Sequence, residues 1–190
     1  MYRIAVFASG NGSNAQRIIE YFDHHPQIKV EIILSNNPAA YVLERAKKLG
    51  IPSFVFNRHE FYESDIIPDF LAARNINYIV LAGFLWLVPV NILRSYDHRI
   101  INIHPALLPK YGGKGMYGMK VHEAAISAGD PESGITIHFV NEKYDNGAII
   151  FQAKCEISKG DTPNRLAEKI HQLEYRYFPE IIEQVLTSKA

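Results

Sequence analysis

At 190 residues, 47% of them hydrophobic, the chain is long enough to bury a sizeable core and short enough to form one domain spanning 1–190. Twenty Lys and Arg balance twenty Asp and Glu without any block of like charge, which excludes a general binder of nucleic acid or membrane surface. A single cysteine, Cys155, leaves no intramolecular disulfide and no cysteine-rich metal cluster; with neither a signal-peptide pattern nor a bilayer-length apolar run at the start, the expectation is a cytoplasmic protein.

In chain order, "YRIAVFA" (2–8) reads as a strand that ends in the turn "SGNGSN", after which Ile18, Ile19, Tyr21 and Phe22 recur at helix spacing. "KVEIILS" (29–35) is a second strand, 39–49 a helix stopped by Gly50, and "SFVF" (53–56) a short strand. A helix is expected over 60–74, with Pro68 inside it, followed by "NYIVLAG" (77–83), apolar on both faces as a buried parallel strand should be. A short helix near 89–95 precedes "RIINIH", which Pro105 terminates because it has no N–H for a sheet ladder. Strands alternating with helices in this way predict right-handed βαβ units and a doubly wound parallel sheet.

Beyond residue 105 the pattern changes. "LLPKYGGKGMYGMK" carries four glycines in fourteen residues and reads as a loop, with a helix near 120–128 after it. "GITIHFV" (134–140) and "GAIIFQAKCEI" (147–157) are strands too close together for a parallel crossover, so an antiparallel addition to the sheet is expected, with Cys155 in its core. A long final helix starts with Thr162 as its cap and Pro163 as its first residue. The fold class is therefore α/β: a doubly wound, mostly parallel sheet with antiparallel C-terminal strands and a long C-terminal helix.

Three places carry polar chemistry. The glycine turn between the first strand and the first helix points backbone N–H groups at a shared point, where the helix dipole favours an anion, and a phosphate is the natural guest, with Ser13 and Asn14 as helpers. Ala15 stands at the third position of a G-x-G-x-x-G/A fingerprint, but the second strand ends "LSNN" rather than in the acid that would bind a ribose, and a plain tight turn is the alternative. Asn102 and His104 lie two residues apart on one face of a strand at its carboxyl end, where open α/β sheets bind ligands; an amide can hold an oxyanion and an imidazole can move a proton near neutral pH. Read alone, His104 is also an ordinary histidine beside a proline. Asp145 is either a carboxylate that tunes the imidazole, raising its pKa, or a turn residue of an Asp-Asn-Gly hairpin. The eight histidines form no H-E-x-x-H, so no metal site is expected, and no G-x-S-x-G nucleophile elbow occurs. Leu85, Trp86, Leu87 and Val88 form an apolar run past the end of the fourth strand, either core or the wall of a flat ligand site.

Taken together, "SGNGSN" (9–14), "NIHPALLPKY" (102–111) and "GITIHFV" with "DNGAIIFQ" (134–152) resemble the folate-dependent formyltransferases, and the first segment with the short length resembles their glycinamide-ribonucleotide branch. The resemblance runs from residue 2 to about 183 and implies a Rossmann-like formyltransferase fold and transfer of a formyl group from 10-formyltetrahydrofolate to the amine of glycinamide ribonucleotide in purine synthesis. It implies Asn102, His104 and Asp145 as the catalytic trio. It places the ribonucleotide phosphate on Gly10, Asn11, Gly12, Ser13 and Asn14, with Glu174, five residues before Pro179, at the substrate amine. Folate is expected on Leu85, Trp86, Leu87, Val88 and Asn102, with Arg58 offered to its glutamate tail. Two departures stand out: Trp86 occupies a position often basic in the family, and the loop 111–119 is longer and richer in glycine. Partners are then small molecules, with no metal, nucleic acid or membrane, in a monomer or weak homodimer. The alternatives are a methionyl-tRNA formyltransferase, which carries a further C-terminal domain, a formyltetrahydrofolate deformylase, which carries a regulatory N-terminal domain, and a catalytically idle nucleotide-binding module.

Overall fold

The computed structural model describes residues 1–188; the last two residues of the expected 1–190 domain lie outside them. The elements run β1 (Tyr2–Phe7), α1 (Ser13–Tyr21), β2 (Ile28–Ser35), α2 (Tyr41–Lys48), β3 (Ser53–Val55), α3 (Arg58–Tyr62), α4 (Ile66–Ala73), β4 (Tyr78–Leu81), α5 (Val90–Ser95), β5 (Ile100–His104), α6 (Met119–Ser127), β6 (Glu132–Phe139), β7 (Ile149–Glu156) and α7 (Pro163–Thr187). One seven-stranded sheet has the order β3-β2-β1-β4-β5-β6-β7. The first five strands pair in parallel, and β6 and β7 add antiparallel, as the short spacing between them requires.

Side-chain alternation splits the core in two. Ile4, Val6, Val80, Ile101 and Ile103 pack toward Ile18, Ile170, Phe178 and Ile182 of α1 and α7. Ala5, Phe7, Ile79, Leu81 and Ile100 face Phe61, Ile67, Leu71 and Ile92 of α3, α4 and α5. All four residues of β4 are buried, as a strand with helices on both faces must be. The strand order reverses between β1 and β4, and it is beyond the carboxyl ends of such neighbouring strands that doubly wound sheets hold ligands.

One expected element divides. The helix over 60–74 is two helices, α3 and α4, broken at Glu63–Asp65. Asn57 and Glu60 form a reciprocal capping box that starts α3 early, and Pro68 falls in the first turn of α4, where its missing N–H would have had no partner. The Asp-Asn-Gly segment makes no tight hairpin. A nine-residue connection, 140–148, joins β6 to β7; Asp145 sits in the left-handed region (φ 50), and a Cβ on Gly147 would lie 1.7 Å from the Phe139 carbonyl oxygen. Thr162 caps α7 through the Arg165 N–H, with Pro163 first in the helix. Cys155 is half-buried on β7, packed against the α1/α7 side of the core.

Candidate active site

The carboxyl ends of β1, β4 and β5 open into a cavity of about 670 Å³, closed on its other sides by residues of α6, α7 and the loops 113–118 and 144–145. Because Ile101 and Ile103 point into the α1/α7 core, the alternation of β5 turns Asn102 and His104 to the opposite face, and β6 sets His138 directly across from Asn102. The connection 140–148 brings Asp145 onto the same spot. Its Oδ2 lies 3.5 Å from His104 Nδ1 and accepts the Gly113 N–H (2.9 Å); its Oδ1 lies 3.7 Å from His138 Nε2 and 3.5 Å from the Asn102 amide nitrogen. The other nitrogen of His104, Nε2, pairs with the Tyr111 carbonyl at 2.7 Å.

His104 is 4% exposed. Burial pushes its pKa below the ordinary histidine value, against the opposing pull of Asp145 and the Tyr111 carbonyl, while His138 adds to the depression. The expected rise is thus reversed: withdrawal from water outweighs one carboxylate at 3.5 Å. For Asp145, burial alone would raise the pKa, but His138, His104 and the Gly113 N–H together hold it below the carboxylate range. The pair is therefore an ionised acid beside a ring that resists charge yet is flanked by two acceptors. Asn102 gives one amide N–H to His138 Nε2 (3.0 Å); its second reaches only the 3.5 Å contact with Asp145 and is free to turn to an oxyanion.

Across the cavity lies the glycine turn. Gly12 ends it in the left-handed region (φ 77) as the uncapped start of α1, so the first-turn N–H groups have no side-chain partner. Gly10, Asn11, Ser13 and Asn14 line the cavity; the Cα of Gly12 turns instead to α2, where an added Cβ would meet Val42 at 2.4 Å. Arg45 of α2 braces the turn, donating to the Asn11 carbonyl (2.9 Å) and side chain (2.7 Å) and to Gln16. The Asn14 amide is committed to Glu174 Oε2 at 3.0 Å, leaving its own buried Oδ1 unpartnered. Glu174 on α7 is 6% exposed, and burial pushes its pKa up to about 7 despite the Asn14 bond. His122 of α6 also lines the cavity, its buried Nδ1 unpartnered and its pKa pushed down to about 4 by burial, with His171 and His104 adding to the depression.

The expected folate wall is less concentrated. Only Leu85 reaches the cavity, fixed by its N–H to Ser9 Oγ (3.0 Å). Trp86 joins an aromatic cluster with Phe56, Phe61, Tyr62 and Phe84, Val88 is buried in the core, and Leu87 is half-buried. Arg58 stacks over the Tyr62 and Trp86 rings, 5.0 and 5.2 Å from their centroids, away from the cavity. Sequence reading missed His138, Arg45, His122 and the Tyr111 carbonyl. The alternation "GITIHFV" could have flagged His138 as a polar residue on a strand face, whereas a backbone carbonyl leaves no trace in sequence.

Residues 2–182 match the formyl transferase family. The chain belongs to that family. It is 40% identical over 189 residues to the phosphoribosylglycinamide formyltransferase of Haemophilus influenzae, covering 96% of this chain and 86% of that protein. It is 39% identical over 186 residues to the chloroplastic phosphoribosylglycinamide formyltransferase of Arabidopsis thaliana, covering 95% of this chain but only 64% of that relative's length. The crystal structure of phosphoribosylglycinamide formyltransferase from Streptococcus pneumoniae superimposes with a TM-score of 0.87 at 40% identity, covering 98% of this chain and all of that one. The family membership accounts for the doubly wound sheet with antiparallel final strands. Among the described residues, no helix is long and apolar enough to cross a membrane, and no group of three or more His, Cys, Asp or Glu is arranged to hold a metal ion.

Proposed function

We propose that this formyltransferase-family chain moves the formyl group of 10-formyltetrahydrofolate to the amine of glycinamide ribonucleotide. The observation that carries the reading is one cavity with two unlike ends: Asn102, His104 and Asp145 at the carboxyl end of β5, and the uncapped start of α1 with buried Glu174 opposite. The α1 end suits a phosphate, because its N–H groups and dipole favour an anion. Glu174, titrating near 7, suits an amine that must arrive bound and leave its proton behind. The amine nitrogen attacks the formyl carbon, forming the new C–N bond and placing negative charge on the carbonyl oxygen. The second Asn102 N–H meets that charge, and the His104 ring, its nitrogens held by Asp145 and the Tyr111 carbonyl, offsets it as a nearby positive charge on taking up the proton the amine loses; Asp145 stabilises the imidazolium so formed. The bond from the formyl carbon to the folate nitrogen then breaks, that nitrogen takes a proton, and the amine has lost one. No enzyme nucleophile is needed in this sequence of steps, so transfer is direct.

Steady-state turnover of the purified chain with formyl-folate and three acceptors tests this: glycinamide ribonucleotide, water alone, and charged initiator tRNA. Turnover that requires the ribonucleotide is the expected result. Formate release without it, or transfer to the tRNA alone, would replace the reading with hydrolysis or tRNA formylation.

A further inference from the structure

Behind His104, outside the cavity, a chain of contacts leads to the protein surface. Asp130, in the turn between α6 and β6, accepts Lys110 Nζ at both carboxylate oxygens (3.0 and 3.1 Å) and the Tyr111 hydroxyl at 2.9 Å. These side chains, with Lys154 and Gln152, line a separate cleft of about 300 Å³. Tyr111 sits in the left-handed region (φ 55), a conformation that a non-glycine residue adopts only when its surroundings hold it there. What its backbone presents from that conformation is the carbonyl on His104 Nε2, and two residues later the Gly113 N–H on Asp145. One short segment, 110–113, thus sets a partner at each ring nitrogen of His104: directly at Nε2, and through Asp145 at Nδ1.

We propose that Asp130 is a positioning residue for His104: by clamping Lys110 and Tyr111 it fixes the Tyr111 carbonyl on Nε2 and so selects the tautomer and orientation of the ring. Asp130 lines only the surface cleft, not the cavity, so it acts through Tyr111 rather than on substrate. The inference rests on the reading of His104 as catalytic. The other groups around the ring are Asp145 and His138, from the 140–148 connection and β6, and His122, from α6. Among the described residues the Asp130 carboxylate pairs with Lys110 and Tyr111 and forms no hydrogen bond or ion pair with these groups, so its removal acts on the Nε2 side of the ring. The Tyr111 hydrogen bond raises the pKa of His104, and losing it lowers that pKa further.

The test uses the full chain and two readouts: nitrogen-15 NMR of the histidine ring without substrates, and kcat and KM with them. Asp130→Ala and Tyr111→Phe should each move the His104 Nε2 signal toward a mixed tautomer and shift its titration midpoint to lower pH. Each should also cut kcat roughly tenfold, as misplacement of a catalytic group does, with both KM values within about twofold. Asp130→Glu should recover most of the rate. Lys154→Ala, which breaks the neighbouring Lys154–Glu132 pair (2.7 Å), should change neither readout. An unchanged His104 tautomer and midpoint in both variants overturns the proposal, even if stability or rate falls, because a purely structural Asp130 predicts that outcome. If Asp130→Ala fails to fold, Tyr111→Phe decides, since it removes only one hydroxyl. Should His104→Ala retain full turnover, the catalytic reading fails, whereas the titration still reports whether Asp130 holds the ring.

Discussion

Chemistry at the scale of single residues turns on burial. Asn102 and His104 stand where a strand ends, but His104 is only 4% exposed, so its truncation also leaves a buried gap beside Asp145. Asn102→Ala and His104→Ala should each lower kcat about a hundredfold or more, as loss of a group that meets an oxyanion does, and His104→Ala should also lower the urea unfolding midpoint; activity within a few-fold of wild type would remove them from the mechanism. Glu174 and His122 share a wall but titrate in opposite senses. With its pKa raised from 4.5 to about 7, Glu174 contributes stability that is fully present below 4.5 and lost as pH climbs through 7, a swing on the order of 3 kcal/mol. His122, lowered from 6.5 to about 4, contributes stability that is present above 6.5 and lost as pH falls through 4. In the wild type the two trends partly cancel between 4.5 and 6.5. Glu174→Gln keeps the shape and the Asn14 bond but no longer ionises. Its stability should exceed wild type at pH 8 and fall more steeply on acidification, as urea denaturation at pH 5 and 8 will show. Parallel pH profiles for the two proteins would refute the assignment. Asp145 was legible as a carboxylate near the site only through the family resemblance; from the residues alone the turn was the stronger reading. The depressed pKa of His104 was not legible at all, because the extent of its burial depends on loops that fold over β5 from distant parts of the chain.

At the scale of elements, the glycine turn shows how a binding feature can be fixed by packing. Position 12 requires glycine twice: its φ is 77, and α2 comes so close that a Cβ would sit 2.4 Å from Val42 Cγ2 and 2.8 Å from its backbone Cα. Gly12→Ala should therefore cost about 2–4 kcal/mol, combining overpacking with the left-handed penalty. Val42→Gly in the same chain removes both Cγ2 and the Cβ that would lie 2.5 Å away, and should recover about 1 kcal/mol relative to additivity, leaving the backbone part. Full additivity of the two changes in urea denaturation would show that α2 does not press on the turn. The sequence shows the strand–turn–helix that makes this site, since glycines between an apolar strand and an amphipathic helix have few other uses. Which neighbour each glycine meets is a tertiary fact, and so Gly12 reads from sequence as a phosphate residue when its Cα is turned to α2. Pro68 illustrates the same limit: a proline inside a helical pattern signals a break, but the break lies before it, because a capping box at Asn57 had already claimed the preceding turn.

For the whole molecule, the cavity is a seam. Its walls come from the carboxyl ends of β1, β4 and β5, from α6 and from α7, which together span most of the chain. A ligand held there contacts the first and last elements at once, so it should stabilise the whole fold against global unfolding rather than protect one local region. At a hundred times its dissociation constant, glycinamide ribonucleotide should raise the unfolding free energy by about 2.7 kcal/mol, shifting the urea midpoint with no change in slope. A change in slope instead would mean that one part of the chain unfolds on its own. The doubly wound order and the antiparallel close of the sheet were readable because period and spacing are local. The cavity roof was not, since the segment 111–118 has no periodicity to read, and the folate wall scattered because Trp86 and Arg58 found partners among neighbouring aromatic rings. One detail of that roof has a reach beyond its size. Asp145 Oδ2 receives the Gly113 N–H as well as facing His104, so the acid that serves the ring also latches the roof. Roof and acidity are geared to one carboxylate: any motion that carries Gly113 away from Asp145 strips the acid of a donor that helps keep it ionised beside the ring.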